Sequence, residues 1–143
     1  MKVLEIYTDG SSKGNPGPSG WAYLLKWGDT EKLESGYLGI TTNNRAELTA
    51  LINALKAIKR PVSKAIIYSD SEYVVNGIKK WLPSWKSKNF RDVKNPDLWK
   101  VLDKLLEDKL VSYEIYHVRA HQGHRENEIV DKAAQKAADS RGN

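Results

Sequence analysis

The chain has 143 residues, no cysteine, 29% charged side chains and 40% hydrophobic ones, the length and make-up of one globular domain that buries a core unaided. The missing thiols exclude a disulfide scaffold, cysteine-ligated zinc and thiol catalysis together, and fit a cytoplasmic protein. The 23 Lys plus Arg outnumber the 18 Asp plus Glu for a formal net charge of +5, which favours polyanionic partners through phosphate neutralisation.

The chain opens directly into a strand over residues 3–10, Val-Leu-Glu-Ile-Tyr-Thr-Asp-Gly, with no charged-then-apolar leader. Neither export nor membrane insertion is expected. This strand delivers Asp9 to its own C-terminal end, just before the glycine- and proline-rich loop 11–18. Residues 20–27 and 32–40 read as further strands separated by Gly28-Asp29-Thr30, so the first three strands form an antiparallel meander.

Thr41-Thr42-Asn43-Asn44 offers helix N-caps, and residues 45–59 follow as a helix with Leu48, Leu51, Ile52, Leu55 and Ile58 at helical spacing. The short apolar run 64–69 is a strand stopped by Asp70, and Ser71 caps a helix over 72–80. Residues 81–95 differ from the rest. Trp81, Trp85 and Phe90 are interleaved there with lysines and Arg91, which reads as a short helix and a basic, aromatic protrusion.

Residues 96–108 form an amphipathic helix with Pro96 in its first turn and Asn95 as its cap. Residues 110–118 alternate as a strand. The polar loop Arg119-Ala-His-Gln-Gly-His-Arg125 leads to an alanine-rich helix over 126–140 that packs closely on a sheet. Residues 1–140 make one domain, and 141–143 a short tail.

The order βββαβ, helices, βα implies an α/β fold with helices on a mixed five-stranded sheet, and right-handed crossovers orient the later strands. In a meander the third strand runs parallel to the first, so the helix after it starts at the edge where Asp9 emerges. Glu47, expected in the first turn of that helix, comes near Asp9. With the last two strands parallel to the first, Asp70 and Asp131 reach the same edge. Taken singly, Asp9 and Asp70 are equally turn formers, and Glu47 and Asp131 helix N-terminal acids. Four converging carboxylates repel, and the usual remedy is hard divalent cations bound through oxygen, magnesium or manganese rather than zinc.

Tyr7-Thr8-Asp9-Gly10-Ser11 with Gly14-Asn15-Pro16-Gly17, Thr42-Asn43-Asn44-Arg45-Ala46-Glu47-Leu48, Ser69-Asp70-Ser71-Glu72-Tyr73-Val74, and His121-Gln122-Gly123-His124 with Asp131 together resemble type 1 ribonuclease H. The likeness spans essentially the whole chain. It implies a ribonuclease H-like fold and hydrolysis of the RNA strand of an RNA–DNA hybrid by two metal ions, leaving 5′-phosphate and 3′-hydroxyl ends. It makes Asp9, Glu47, Asp70 and Asp131 the metal ligands, with two Mg2+ ions bound alongside substrate and Mn2+ able to substitute. His121 takes the place of a mobile histidine that assists proton transfer or product release.

The resemblance also assigns the substrate contacts. Asn15, Asn43 and Asn44 read base edges and 2′-hydroxyls across the minor groove of the hybrid, Gly10, Ser11 and Glu72 join them in binding substrate, Thr42 and Asn95 hold a DNA phosphate, and Trp81 with the basic protrusion grips the DNA strand. Three residues depart from the family pattern: Glu72 stands where glutamine is common, Ala120 replaces a glycine, and Ile40 sits where some members have arginine. The partner implied is an RNA–DNA hybrid duplex, bound by a cytoplasmic monomer away from any membrane. The alternative from another class is a catalytically silent nucleic-acid-binding module of the same fold, whose signature, a missing carboxylate, is not found.

Overall fold

A computed structural model of the chain describes residues 2–119 and 124–142. Strands β1 (Leu4–Ser12), β2 (Gly17–Trp27) and β3 (Thr30–Thr41) form the meander, and α1 (Asn43–Lys56) crosses to β4 (Val62–Ser69). Helix α2 (Glu72–Asn76), a π-helical turn (Gly77–Trp81), α3 (Leu82–Ser87) and α4 (Pro96–Lys109) lead to β5 (Leu110–His117), and α5 (Arg125–Ser140) closes the chain. The sheet order is β3-β2-β1-β4-β5, antiparallel through β3, β2 and β1 and parallel from β1 to β4 and β5. The expected mixed five-stranded sheet is the one observed.

Alternation along the strands separates two apolar layers, because successive strand side chains point to opposite faces. On one face Leu4, Ile6 and Ile67 meet Leu48, Leu51 and Leu55 of α1 and Trp99, Leu102 and Leu106 of α4. On the other, Ala22 and Leu24 of β2 meet Val130 and Ala134 of α5. The alanine-rich helix packs closely, as its composition predicts.

Several boundaries differ from the sequence expectation. β1 runs on to Ser12 and β2 starts at Gly17, with Ser12 paired to Ser19, so the loop shrinks to residues 13–16. Ladder hydrogen bonds here outweigh the local turn preference of glycine and proline. α1 ends at Lys56 rather than 59, and Ile58 turns inward to become buried. The helix expected over 72–80 is α-helical only to Asn76 and then widens into the π-helical turn, where Gly77 faces the ring of Trp99.

The register decides what the site becomes. Thr8 of β1 lies opposite Ser69 of β4, and Ser69 opposite His117 of β5. The next residues along β1 and β4, Asp9 and Asp70, therefore emerge from the ladder side by side.

Candidate active site

Asp9 is buried at 3% exposure although it carries a carboxyl. The reason it meets Glu47 is the residue after it. A Cβ on Gly10 would lie 2.4 Å from the backbone of Ala46 and Glu47, so glycine alone allows α1 to rest directly on β1. The Gly10 N–H then donates to Glu47 Oε1 at 2.7 Å and to Asp9 Oδ1 at 2.9 Å. Glu47 sits two residues further into α1 than expected, since the helix starts at Asn43 with Thr42 as its cap.

Asp9, Glu47 and Asp70 each present an oxygen, and these oxygens all lie within 4.8 Å of one another. Asp131, in the second turn of α5, flanks this trio; it accepts a hydrogen bond from Gln135 Nε2 at 3.0 Å and helps hold the proton of Asp9. The topology thus brings three of the four expected acids into one tight group and the fourth beside it. Burial, followed by the charges of Glu47, Asp70 and Asp131, pushes the Asp9 carboxyl up to about 11. Burial and the neighbouring Asp70 likewise hold Glu47 well above the usual carboxylate range, although the Gly10 N–H opposes this.

These residues fit a hard divalent cation on their own terms. Every donor is a carboxylate oxygen, the chemistry that magnesium and manganese take. Among the described residues Asp70 Oδ1 is buried without a hydrogen-bond partner, an arrangement costing about 1–3 kcal/mol that a cation would relieve.

A stability prediction follows from the raised acids. In a chelator the folded chain keeps a proton on Asp9 that the unfolded chain releases near pH 4. The folded state therefore binds more protons from there up to about pH 11, and ion-free stability from this group falls as pH rises through that window. Asp9→Asn is expected to stabilise the ion-free protein at pH 8 by about 1–3 kcal/mol, with a smaller gain at pH 5. Urea unfolding in EDTA at the two pH values measures it, and a variant less stable than wild type at pH 8 contradicts it.

Most of the residues assigned to substrate lie where β1 ends and where α1 and α2 begin. Asn15 Oδ1 accepts from the Asn43 N–H at 3.0 Å, tying the β1–β2 loop to the start of α1, and Asn15, Asn43 and Asn44 are exposed. Ser11 is half-buried opposite Gly20, and Glu72 is exposed in the first turn of α2. Thr42 Oγ1 accepts from the Arg45 N–H at 3.3 Å. Ile40 is 69% exposed near the end of β3.

Asn95 does not cap α4 with its side chain. Its backbone is left-handed, and its amide accepts from Arg45 Nη1 at 3.1 Å and donates to the Tyr73 hydroxyl at 3.1 Å. Arg45 also makes a two-pronged pair with Asp97, at 3.0 and 2.7 Å, which holds that carboxyl down to about 2. Asn95 is thereby locked against the first turn of α1.

In the protrusion Trp81 is 41% exposed and leans on Trp85, which meets the buried Trp99 edge-on. Trp99 is a core residue, and Trp85 packs against it partly buried. The basic stripe is thinner than the sequence suggested, because Lys86 turns to Asp103 and Glu107 at 3.3 and 2.9 Å. Lys79, Lys80, Lys88 and Arg91 are exposed.

His121 and Ala120 lie outside the described residues. His124 precedes α5 without a side-chain cap. His117, not singled out in the sequence, has its ring Nε2 3.1 Å from the main-chain oxygen of Asp70. Its only sequence signal is a place at the end of a strand beside the one that ends in an acid.

Comparison with known proteins gives one consistent result. The sequence matches the RNase H family over residues 1–139. It is 47% identical to the ribonuclease H of Hydrogenovibrio crunogenus, with 97% of each chain covered. It is 48% identical to the ribonuclease HI of Helicobacter pylori, covering 99% of this chain and 96% of the other. LC11-RNase H1, solved in complex with an RNA/DNA hybrid, is 28% identical and aligns with a TM-score of 0.68 over 94% of this chain and 98% of its own.

Proposed function

Because the chain belongs to the ribonuclease H family and is an endoribonuclease, we propose that it cuts the RNA strand of RNA–DNA hybrids at the Asp9–Glu47–Asp70 group with Asp131 beside it. Two divalent cations serve the reaction, magnesium first and manganese in its place. The observation that carries this reading is the trio of carboxylate oxygens within 4.8 Å at the level strand ends, with Asp70 Oδ1 buried and without a partner among the described residues.

Asp9, Glu47, Asp70 and Asp131 would hold the divalent ions, which when bound would supply Lewis acidity and neutralise charge developing in phosphodiester hydrolysis. The protein's own part is placement. Gly10 keeps α1 against β1 so that Glu47 faces Asp9, and the shared register of β1 and β4 keeps Asp70 abreast of both. Asp131, steadied by Gln135, adds negative charge on the α5 side. His121 assists proton transfer or product release, a role worth about 10² to 10⁴ in rate.

The rim recognises the duplex. Asn15, Asn43 and Asn44, with Gly10, Ser11 and Glu72 around them, read the minor groove, where the 2′-hydroxyl distinguishes RNA from DNA. Thr42 and Asn95 hold a phosphate of the DNA strand, and Trp81 with Lys79, Lys80, Lys88 and Arg91 grips that strand further along. The domain spans residues 1–140 and works as a cytoplasmic monomer.

One duplex sequence, end-labelled as RNA–DNA, RNA–RNA and DNA–DNA, tests the proposal with magnesium or EDTA present. The expected result is cleavage of the hybrid alone, in its RNA strand, leaving 5′-phosphate and 3′-hydroxyl ends and stopping in EDTA. Hybrid bound but uncut in both magnesium and manganese would establish a binding module instead.

A further inference from the structure

Asp70 is the acid of the trio whose direction depends most on its backbone. It leaves the β1–β4 ladder after the Thr8–Ser69 pair, so sheet pairing no longer fixes its peptide. Its carboxyl meets that of Glu47, but Oδ1 has no hydrogen-bond partner among the described residues. The neighbours on either side are secured. The Val118 N–H donates to the Ser69 carbonyl at 2.9 Å, the Ser71 N–H donates to Ser69 Oγ at 3.1 Å, and Ser71 Oγ caps α2 by accepting from the Val74 N–H at 3.1 Å.

The link between them is the Asp70–Ser71 peptide plane, and His117 reaches it. The ring Nε2 lies 3.1 Å from the Asp70 carbonyl oxygen. A carbonyl only accepts, so the nitrogen facing it carries the proton and donates. Both the neutral ring protonated at Nε2 and the imidazolium make this bond, and its existence does not depend on the charge of the ring. Rotation of the plane would change ψ of Asp70 and alter the angle between its carboxylate and the start of α2. A donor anchored on β5 opposes that rotation.

We infer that His117 is a positioning residue for the cation site: by donating from Nε2 to the Asp70 carbonyl it holds the peptide that aims the Asp70 carboxylate, and so sets how tightly a divalent ion is bound. This rests on the reading of Asp70 as a metal ligand. Partners that hydrogen-bond the ligating groups themselves typically contribute 10- to 100-fold in metal affinity, and a bond to the ligand's main chain is expected at the low end of that range.

The test titrates Mg2+ into the full chain and into His117→Ala and His117→Gln without substrate, reading the thermal midpoint, and repeats the titration on hybrid cleavage. The Ala variant is expected to need about tenfold more Mg2+ than wild type in both readouts, with a smaller change in rate at saturating ion. The Gln variant, whose amide N–H reaches a similar point, recovers most of the loss. A merely structural role would lower the melting temperature equally at every Mg2+ concentration and leave the Mg2+ midpoint in place, which overturns the inference. So does a Gln variant as impaired as the Ala variant. If wild type shows no Mg2+ response in either melting temperature or hybrid cleavage, the assignment of Asp70 falls along with the role of His117. If wild type responds and the Ala variant follows the same curve, only the role of His117 falls.

Discussion

Asp70→Asn is expected to slow hybrid cleavage by about a thousandfold or more while leaving the fold and hybrid binding in place. The substitution is nearly isosteric, and the bonds that secure its neighbours, from Val118 to Ser69 and from Ser71 to Ser69, do not involve its side chain. What changes is the donor. A neutral amide replaces one of three carboxylates whose oxygens lie within 4.8 Å of each other. Lewis-acid stabilisation by a held cation supplies several kcal/mol, and each 1.4 kcal/mol is tenfold in rate. Single-turnover cleavage of a labelled hybrid measures the loss, and fluorescence anisotropy in EDTA checks that binding survives. A variant that keeps more than about a tenth of the wild-type rate would remove Asp70 from the ligand set.

Trp99→Ala is expected to cost about 3–5 kcal/mol of stability, the range for deleting a large aromatic from a core. Trp99 is fully buried and joins parts of the molecule distant in sequence. Its ring meets Trp85 of α3 edge-on at 4.9 Å and Tyr73 of α2 at 5.6 Å, and its Nε1–H donates to the Tyr73 hydroxyl at 2.8 Å. It also presses against Gly77 so closely that a Cβ there would lie 2.2 Å from the ring. Truncation leaves a void under the protrusion and deprives the Tyr73 hydroxyl of the Nε1–H that donates to it, leaving the Asn95 amide. Urea unfolding monitored by far-UV circular dichroism gives the loss directly. A change below about 1 kcal/mol would show that the surrounding helices collapse onto the site without strain.

The same tryptophan shows where reading the sequence stops. Its place on the apolar stripe of α4 is visible from helical spacing, because that periodicity is local. Its partners are not, since Tyr73, Gly77 and Trp85 come from segments that no repeat connects to residue 99. The widening of the helix after Asn76 went unseen for the same reason. Lys86 gives a second example. In sequence it belongs with the cations around it, yet α4 brings Asp103 and Glu107 within 3.3 and 2.9 Å, and its charge is spent on the protein. Asn95 gives a third, since its composition suits a helix cap but Arg45 and Tyr73 draw its amide away.

By itself the sequence determined the order of strands and helices, the sheet with its antiparallel start and parallel finish, and the edge at which Asp9, Glu47, Asp70 and Asp131 appear. Those follow from alternation, helical spacing, caps and the handedness of crossovers, all written within short stretches of chain. Only the tertiary structure decided the distances at that edge: the close seat of α1 on Gly10, the tight trio with Asp131 beside it, and the histidine of β5 against the Asp70 carbonyl. Each of these depends on how closely two elements pack and in what register. Packing distance and register are set by the summed contacts of whole faces, a quantity that no single stretch of residues contains.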